Sequence, residues 1–157
     1  VKSLFYVRKS LQIKALDYCK TLTDIKDSIK FAEYFVSKYT DYEITMIGHS
    51  KGGAEAAANA VATNMNAIIF NPASVNLSAY KLDSTTYTGS MTAFIVKGEI
   101  LNQVFGPIST PIDEVVYLPT QYKVNHKINF VKNIENSIKN HSMEAVIQAL
   151  KEAGYAS

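Results

Sequence analysis

The sequence predicts an α/β fold built on a mostly parallel sheet with helices on both faces. Three observations carry that expectation. Helix-compatible and strand-compatible segments alternate from residue 24 onward. The strand candidates are continuous apolar runs, the pattern of strands buried on both faces. A glycine-rich turn joins one such run directly to an alanine-rich segment, which reads as strand, turn and helix in succession. The 157 residues suit a single domain, long enough to bury a core without staples.

The elements follow in chain order. Residues 3–8 fit a short strand or the start of a helix, and Leu11 to Cys19 is helix-compatible. Thr23 has the chemistry of an N-cap. After it Ile25, Ile29, Phe31, Ala32, Tyr34 and Phe35 recur at helical spacing, with Lys38 in the last turn, so 24–39 is an amphipathic helix. Tyr42 to Ile47 is short, apolar and β-rich, a buried strand. Gly48 to Gly53 is a tight turn. Lys51 to Met65 holds many alanines and no proline, a helix. Asn66 to Phe70 is a second buried strand, ended by Asn71-Pro72. A polar loop leads to a third strand, Met91 to Val96, which ends at Lys97-Gly98-Glu99. Residues 101–113 form a loop, and Glu114 to Leu118 a short fourth strand. The run Asn133 to Asn140 reads as a solvated loop or helix face. Asn140 to Ala153 is a closing helix with Gly154 as its C-cap.

Composition excludes several classes of function. Hydrophobic residues make up 47% and charged residues 19%, which is ordinary for a globular chain. The net charge of +2 is too small to argue for nucleic acid, and no basic stripe with interleaved aromatics occurs. A weakly basic surface is compatible with contact to an anionic membrane without establishing it. Three scattered histidines and the single Cys19 give no metal-ligand spacing, and no metal or cofactor is expected. Neither a phosphate-cradling loop nor a dinucleotide fingerprint is present. Residues 1–15 do not read as a signal peptide, no apolar run has membrane-spanning length, and one cysteine leaves the compartment open.

Gly48-His49-Ser50-Lys51-Gly52 fits G-x-S-x-G, and Gly53 extends it. A serine hydroxyl is a poor nucleophile until a base removes its proton. In this motif it projects from a sharp strand-to-helix turn. The flanking glycines allow strand and helix to approach where a Cβ would clash. The N-terminus of the following helix carries positive partial charge, so the Lys51 N–H is placed to hold an oxyanion. Sites on parallel sheets form outside the carboxyl ends of the strands. Ser50 and Glu99 stand at such ends.

The stretch Ile44-Thr-Met-Ile-Gly-His-Ser-Lys-Gly-Gly-Ala resembles the nucleophile elbow of class 3 lipases in the α/β-hydrolase superfamily. The resemblance runs from about residue 24 to 153 and is sharpest at the elbow. Lys51 stands where those lipases usually carry leucine, which is closer to uncharacterised bacterial lipase-like hydrolases. The resemblance implies a lipid or acyl ester as substrate, and a cytoplasmic or secreted bacterial setting. It also implies a structural role for His49 in supporting the elbow. The base must reach the serine oxygen, and the order Ser, acid, His requires a late histidine. His141 meets that order. Placed at the start of the closing helix, it would be kept neutral by the helix N-terminus. His126 is the alternative base. The family's acid follows the next strand but one after the nucleophile, which selects Glu99, where the lipases show aspartate. Asp113 is the alternative acid, with Asp83 a weaker one.

Residues 1–40 contain no glycine, whereas the family's second oxyanion donor comes from a Gly-rich or Arg-Gly loop upstream of the elbow. With Val1 as the first residue, the expectation is a single α/β-hydrolase-like domain lacking its N-terminal strands. Its exposed sheet edge would then be open to self-association. The missing donor also supports a second reading, a non-catalytic α/β-hydrolase-fold protein used in binding or structure.

Overall fold

The computed structural model of the protein describes residues 4–7, 24–101, 111–124 and 130–156. Five strands form one sheet in the order β1-β2-β3-β4-β5, with β1 Leu4–Val7, β2 Ile44–His49, β3 Asn66–Phe70, β4 Met91–Val96 and β5 Glu114–Leu118. Strands β2 to β5 run parallel, in registers that include Ile47 opposite Ile68, Phe70 opposite Phe94, and Val96 opposite Leu118. β1 pairs antiparallel with β2 and so occupies the sheet edge beside the glycine-rich turn. The α/β class with a mostly parallel sheet is therefore present.

Side-chain alternation along the strands divides the core into two layers. Ile44, Met46, Ala67, Ile69, Met91 and Ala93 face α1 (Ile25–Lys38) and α2 (Lys51–Thr63). The opposite face carries Phe70, Phe94, Val96, Val116 and Leu118. It packs on Val146 and Ala149 of the final helix, α4 (Met143–Glu152). The rings of Phe70 and Phe94 stack there at 5.5 Å. Helices thus cover both faces. The alanines of α2 explain its close approach to the sheet: Ala54, Ala56, Ala57, Ala58 and Ala60 are all buried. Across the α1–α2 contact, Asn59 Nδ2 donates to Ser28 Oγ at 2.8 Å.

Several boundaries differ from the sequence reading. Asp24, not Thr23, caps α1, its carboxylate accepting the Asp27 N–H at 3.0 Å. Tyr34 points to solvent. β2 runs on through Gly48 and His49, so the turn itself narrows to Ser50. α2 stops at Thr63 because Asn64 enters the left-handed region, φ 56°, as its C-cap. Of the two readings of Asn133 to Asn140, solvated loop or helix face, the second holds: the run belongs to a further helix, α3 (Phe130–His141). The closing helix does not begin at Asn140: Ser142 is extended and its hydroxyl accepts the Ala145 N–H at 3.2 Å, a serine N-cap that starts α4 at Met143. The helix expected over Leu11 to Cys19 and most of the 101–113 loop lie outside the described residues.

Candidate active site

Ser50 stands at the carboxyl end of β2 with φ 58° and ψ −123°, outside the regions comfortable for a non-glycine residue. Such a conformation costs on the order of 1–3 kcal/mol and persists only where its surroundings enforce it. Here they do. The Ser50 N–H donates to Phe70 O at 3.1 Å. Its carbonyl accepts from Gly53 N at 3.0 Å, Ala54 N at 3.2 Å and Ala73 N at 2.9 Å. The turn is thus tied to β3, to α2 and to the loop after β3. A Cβ on Gly48 would lie 1.9 Å from Gly52 O, and one on Gly53 would lie 2.8 Å from Pro72 Cβ. The glycines at 48 and 53 are therefore demanded by contact. Lys51 is the first residue of α2, so its amide sits at the positive end of that helix. The Lys51 side chain pairs with Glu55 at 3.5 Å.

Glu99 follows β4 through a turn in which Gly98 takes φ 84° and the Glu99 N–H donates to Val96 O at 3.1 Å. Its side chain is buried. Oε2 accepts from Leu101 N at 3.0 Å and from His141 Nδ1 at 2.8 Å. On its other side the same imidazole meets Ser50: His141 Nε2 lies 2.8 Å from Ser50 Oγ. With a carboxylate accepting from Nδ1–H, Nε2 is left to accept from the serine hydroxyl. Ser50, His141 and Glu99 thus form one continuous hydrogen-bonded row, contributed by three separate elements.

His141 ends α3 instead of starting the next helix, so the helix N-terminus expected at its ring belongs to the helix that begins at Met143. The helix break also explains the position of the side chain, since Ser142 turns the chain out of α3 immediately after it.

The remaining candidates are placed elsewhere. His49 Nε2–H donates to the main-chain oxygen of His141 at 2.6 Å, and the two rings lie 5.0 Å apart. Its contact is with the backbone of His141. Asp113 Oδ2 accepts the Met91 N–H at 2.7 Å, at the start of β4 and far from Glu99 at its end. Asp83 caps a short 3₁₀ turn through Thr85. His126 lies outside the described residues, as does most of the first 23 upstream of the elbow. Two open surface hollows, of about 620 and 560 Å³, take none of their lining from Ser50, Glu99 or His141. Among the described residues, no helix is long and apolar enough to cross a membrane. No group of three His, Cys, Asp or Glu side chains there has a metal-holding arrangement.

Sequence reasoning missed Asn71, whose buried side chain bonds both β4 and the end of α3. The Asn-Pro pair signalled only the end of a strand.

Burial lowers the His49 pKa from its ordinary 6.5. The hydrogen bond to the His141 carbonyl opposes that, and the charge of a protonated His141 adds to it. The unfolded chain therefore takes up this proton at a higher pH than the folded chain. Stability should decline as pH falls below about 6.5. Thermal melts from pH 7 to 5 should show a shallower decline for His49→Gln than for the wild type. Parallel slopes would rule the linkage out.

No protein-family model matches the chain, and no curated protein is significantly similar to it.

Proposed function

We propose that the protein is a serine hydrolase that cleaves a carboxylic ester, with a lipid or other acyl ester as substrate class. The row Ser50 Oγ, His141 Nε2, His141 Nδ1, Glu99 Oε2, with both contacts at 2.8 Å, carries the reading. Nucleophile–base and base–orienter contacts within hydrogen-bond reach are the geometric requirement for an activated serine.

The steps follow from the atoms. Ser50 Oγ attacks the acyl carbonyl carbon while His141 Nε2 takes its proton. The carbonyl oxygen becomes an oxyanion beside the Lys51 amide, at the positive end of α2. The bond to the alcohol oxygen breaks, and His141 returns the proton to that oxygen. An acyl ester remains on Ser50. Water attacks the acyl carbon while His141 takes its proton, and His141 then gives that proton to Ser50 Oγ as the bond to the serine breaks and the carboxylic acid leaves. Glu99 holds the imidazole in the required tautomer and balances its charge during each transfer. The strained Ser50 backbone keeps the hydroxyl outside the helix that follows.

A fluorophosphonate probe tests this directly. The wild-type chain should label, and Ser50→Ala should not. A folded wild-type chain that never labels would refute the hydrolase and favour a binding role for the fold.

A further inference from the structure

We propose that Asn71 is a positioning residue for this site, a strap that fixes the helix bearing the base against the strand bearing the acid. The inference rests on the hydrolase reading and adds a residue to it.

Asn71 follows β3, is buried, and takes φ 37° in the left-handed region, which asparagine tolerates better than most residues. Its side chain reaches two other elements. Oδ1 accepts the N–H of Val96, the last residue of β4, at 2.9 Å. Nδ2 donates to Asn140 O at 3.1 Å and to His141 O at 3.4 Å. Its own N–H donates to Phe94 O at 2.9 Å, and two residues on, the Ala73 N–H donates to Ser50 O at 2.9 Å. One short segment therefore contacts the backbone of Ser50, the strand end from which Glu99 turns, and the backbone of His141.

The chemistry explains why an amide stands there. The last carbonyls of a helix have no partner within it. At the end of α3, those of Asn140 and His141 receive donors from Asn71 and, on the other side, from His49. The Val96 amide needs an acceptor at the same place. Asparagine supplies one acceptor and two donors from one short side chain; aspartate ionised supplies acceptors only. A helix end left unheld at Asn140 and His141 can shift, and an imidazole displaced by about 1 Å can cost on the order of 100-fold in rate.

The test uses the full chain and two readouts. Asn71→Asp keeps the acceptor for Val96 and removes both donors to α3; Asn71→Gly suits the backbone and removes both straps. With p-nitrophenyl acetate, each folded variant should lose roughly ten- to hundredfold in kcat with KM changed less than about twofold. By proton NMR, the far-downfield signal of the His141 Nδ1–H bonded to Glu99 should broaden or vanish. Wild-type kcat with an unchanged signal would overturn the proposal. Should neither variant fold, the same carbonyl is reached from its other side: His49→Gln, which keeps an amide donor, should retain more kcat than His49→Phe, which keeps the ring without one. Equal activity of that pair would then overturn it. A wild-type chain that turns over no ester would sink the hydrolase reading separately, and the imidazole signal would still decide the role of Asn71.

Discussion

If the protein is the proposed serine hydrolase, His141→Ala should lower kcat/KM for an activated ester by about 10⁴-fold or more, because it removes a group in hydrogen-bond contact with both Ser50 Oγ and Glu99. Glu99 should respond in two grades. In a serine triad, an amide in place of the acid usually turns its NH₂ toward the imidazole, forces the wrong tautomer and costs on the order of 10⁴-fold. Here one oxygen, Oε2, accepts from both Leu101 N–H and His141 Nδ1. A glutamine at 99 would be held with its oxygen at that point by the Leu101 amide. The tautomer would survive and only the charge would be lost. Glu99→Gln should therefore cost about 10²-fold, within the range of acid–base contributions, and Glu99→Ala more. Asp113→Ala is the control. Asp113 binds the amide at the start of β4, about 16 Å of strand away at 3.3 Å per residue. It should lose about 1 kcal/mol of stability, as for a single hydrogen bond, and no activity. Steady-state kinetics with p-nitrophenyl acetate, beside urea denaturation, measures both. If Asp113→Ala slowed the reaction as much as Glu99→Ala, the assignment of the acid would fail.

The parts of the fold that the sequence discloses are those where local pattern and tertiary role agree. β3, β4 and β5 have the bounds their apolar runs suggest, because each run is punctuated by Asn-Pro, Lys-Gly or a loop. α2 follows its alanines. That Ser50, Glu99 and His141 meet in one hydrogen-bonded row agrees with the chain order that the resemblance implies. α3 is legible only as one of two readings of Asn133 to Asn140, for a physical reason. Its buried residues are Ser137 and Asn140, while Phe130, Val131, Ile134 and Ile138 face outward. Its apolar periodicity is therefore the reverse of what a core-facing helix shows. Asn140 is buried because its side chain clamps the loop after β5, Oδ1 accepting from Gln121 N and Tyr122 N, and Nδ2 donating to Thr120 and to Tyr122 O. Nothing in the neighbouring sequence signals such a long-range amide, and the same holds for Asn71. The helix break at Ser142 was legible in principle: serine is a strong N-cap, stronger than any local feature at His141.

Gly48→Ala should be the most destabilising single methyl that can be added to the described glycines, with a loss of about 4 kcal/mol or an unfolded chain. The added Cβ would lie 1.9 Å from Gly52 O, 2.3 Å from Gly52 C and 2.7 Å from Gly53 N. All three are backbone atoms, so no rotamer change relieves the overlap. The first turn of α2 would have to move by more than 1 Å, given that nonbonded carbon and oxygen prefer separations near 3.5 Å. It has little room. A Cβ built on Gly53 already falls 2.8 Å from Pro72 Cβ, so α2 lies tight against the loop after β3, and Ser50 is bonded to both. Ordinary overpacking costs 1–3 kcal/mol where side chains yield; a backbone collision that also strains the serine turn belongs above that range. Gly154→Ala provides the contrast. A Cβ there meets nothing within 4 Å, and the cost is confined to the backbone at φ 80°, about 1 kcal/mol. Set against a typical total of 5–15 kcal/mol, the first loss removes much of the stability of the fold and the second does not. Urea titrations of both variants measure the difference. A Gly48→Ala chain unfolding within about 1 kcal/mol of wild type would mean that strand and helix are not in contact at the turn. The strained placement of Ser50 would then lose its cause.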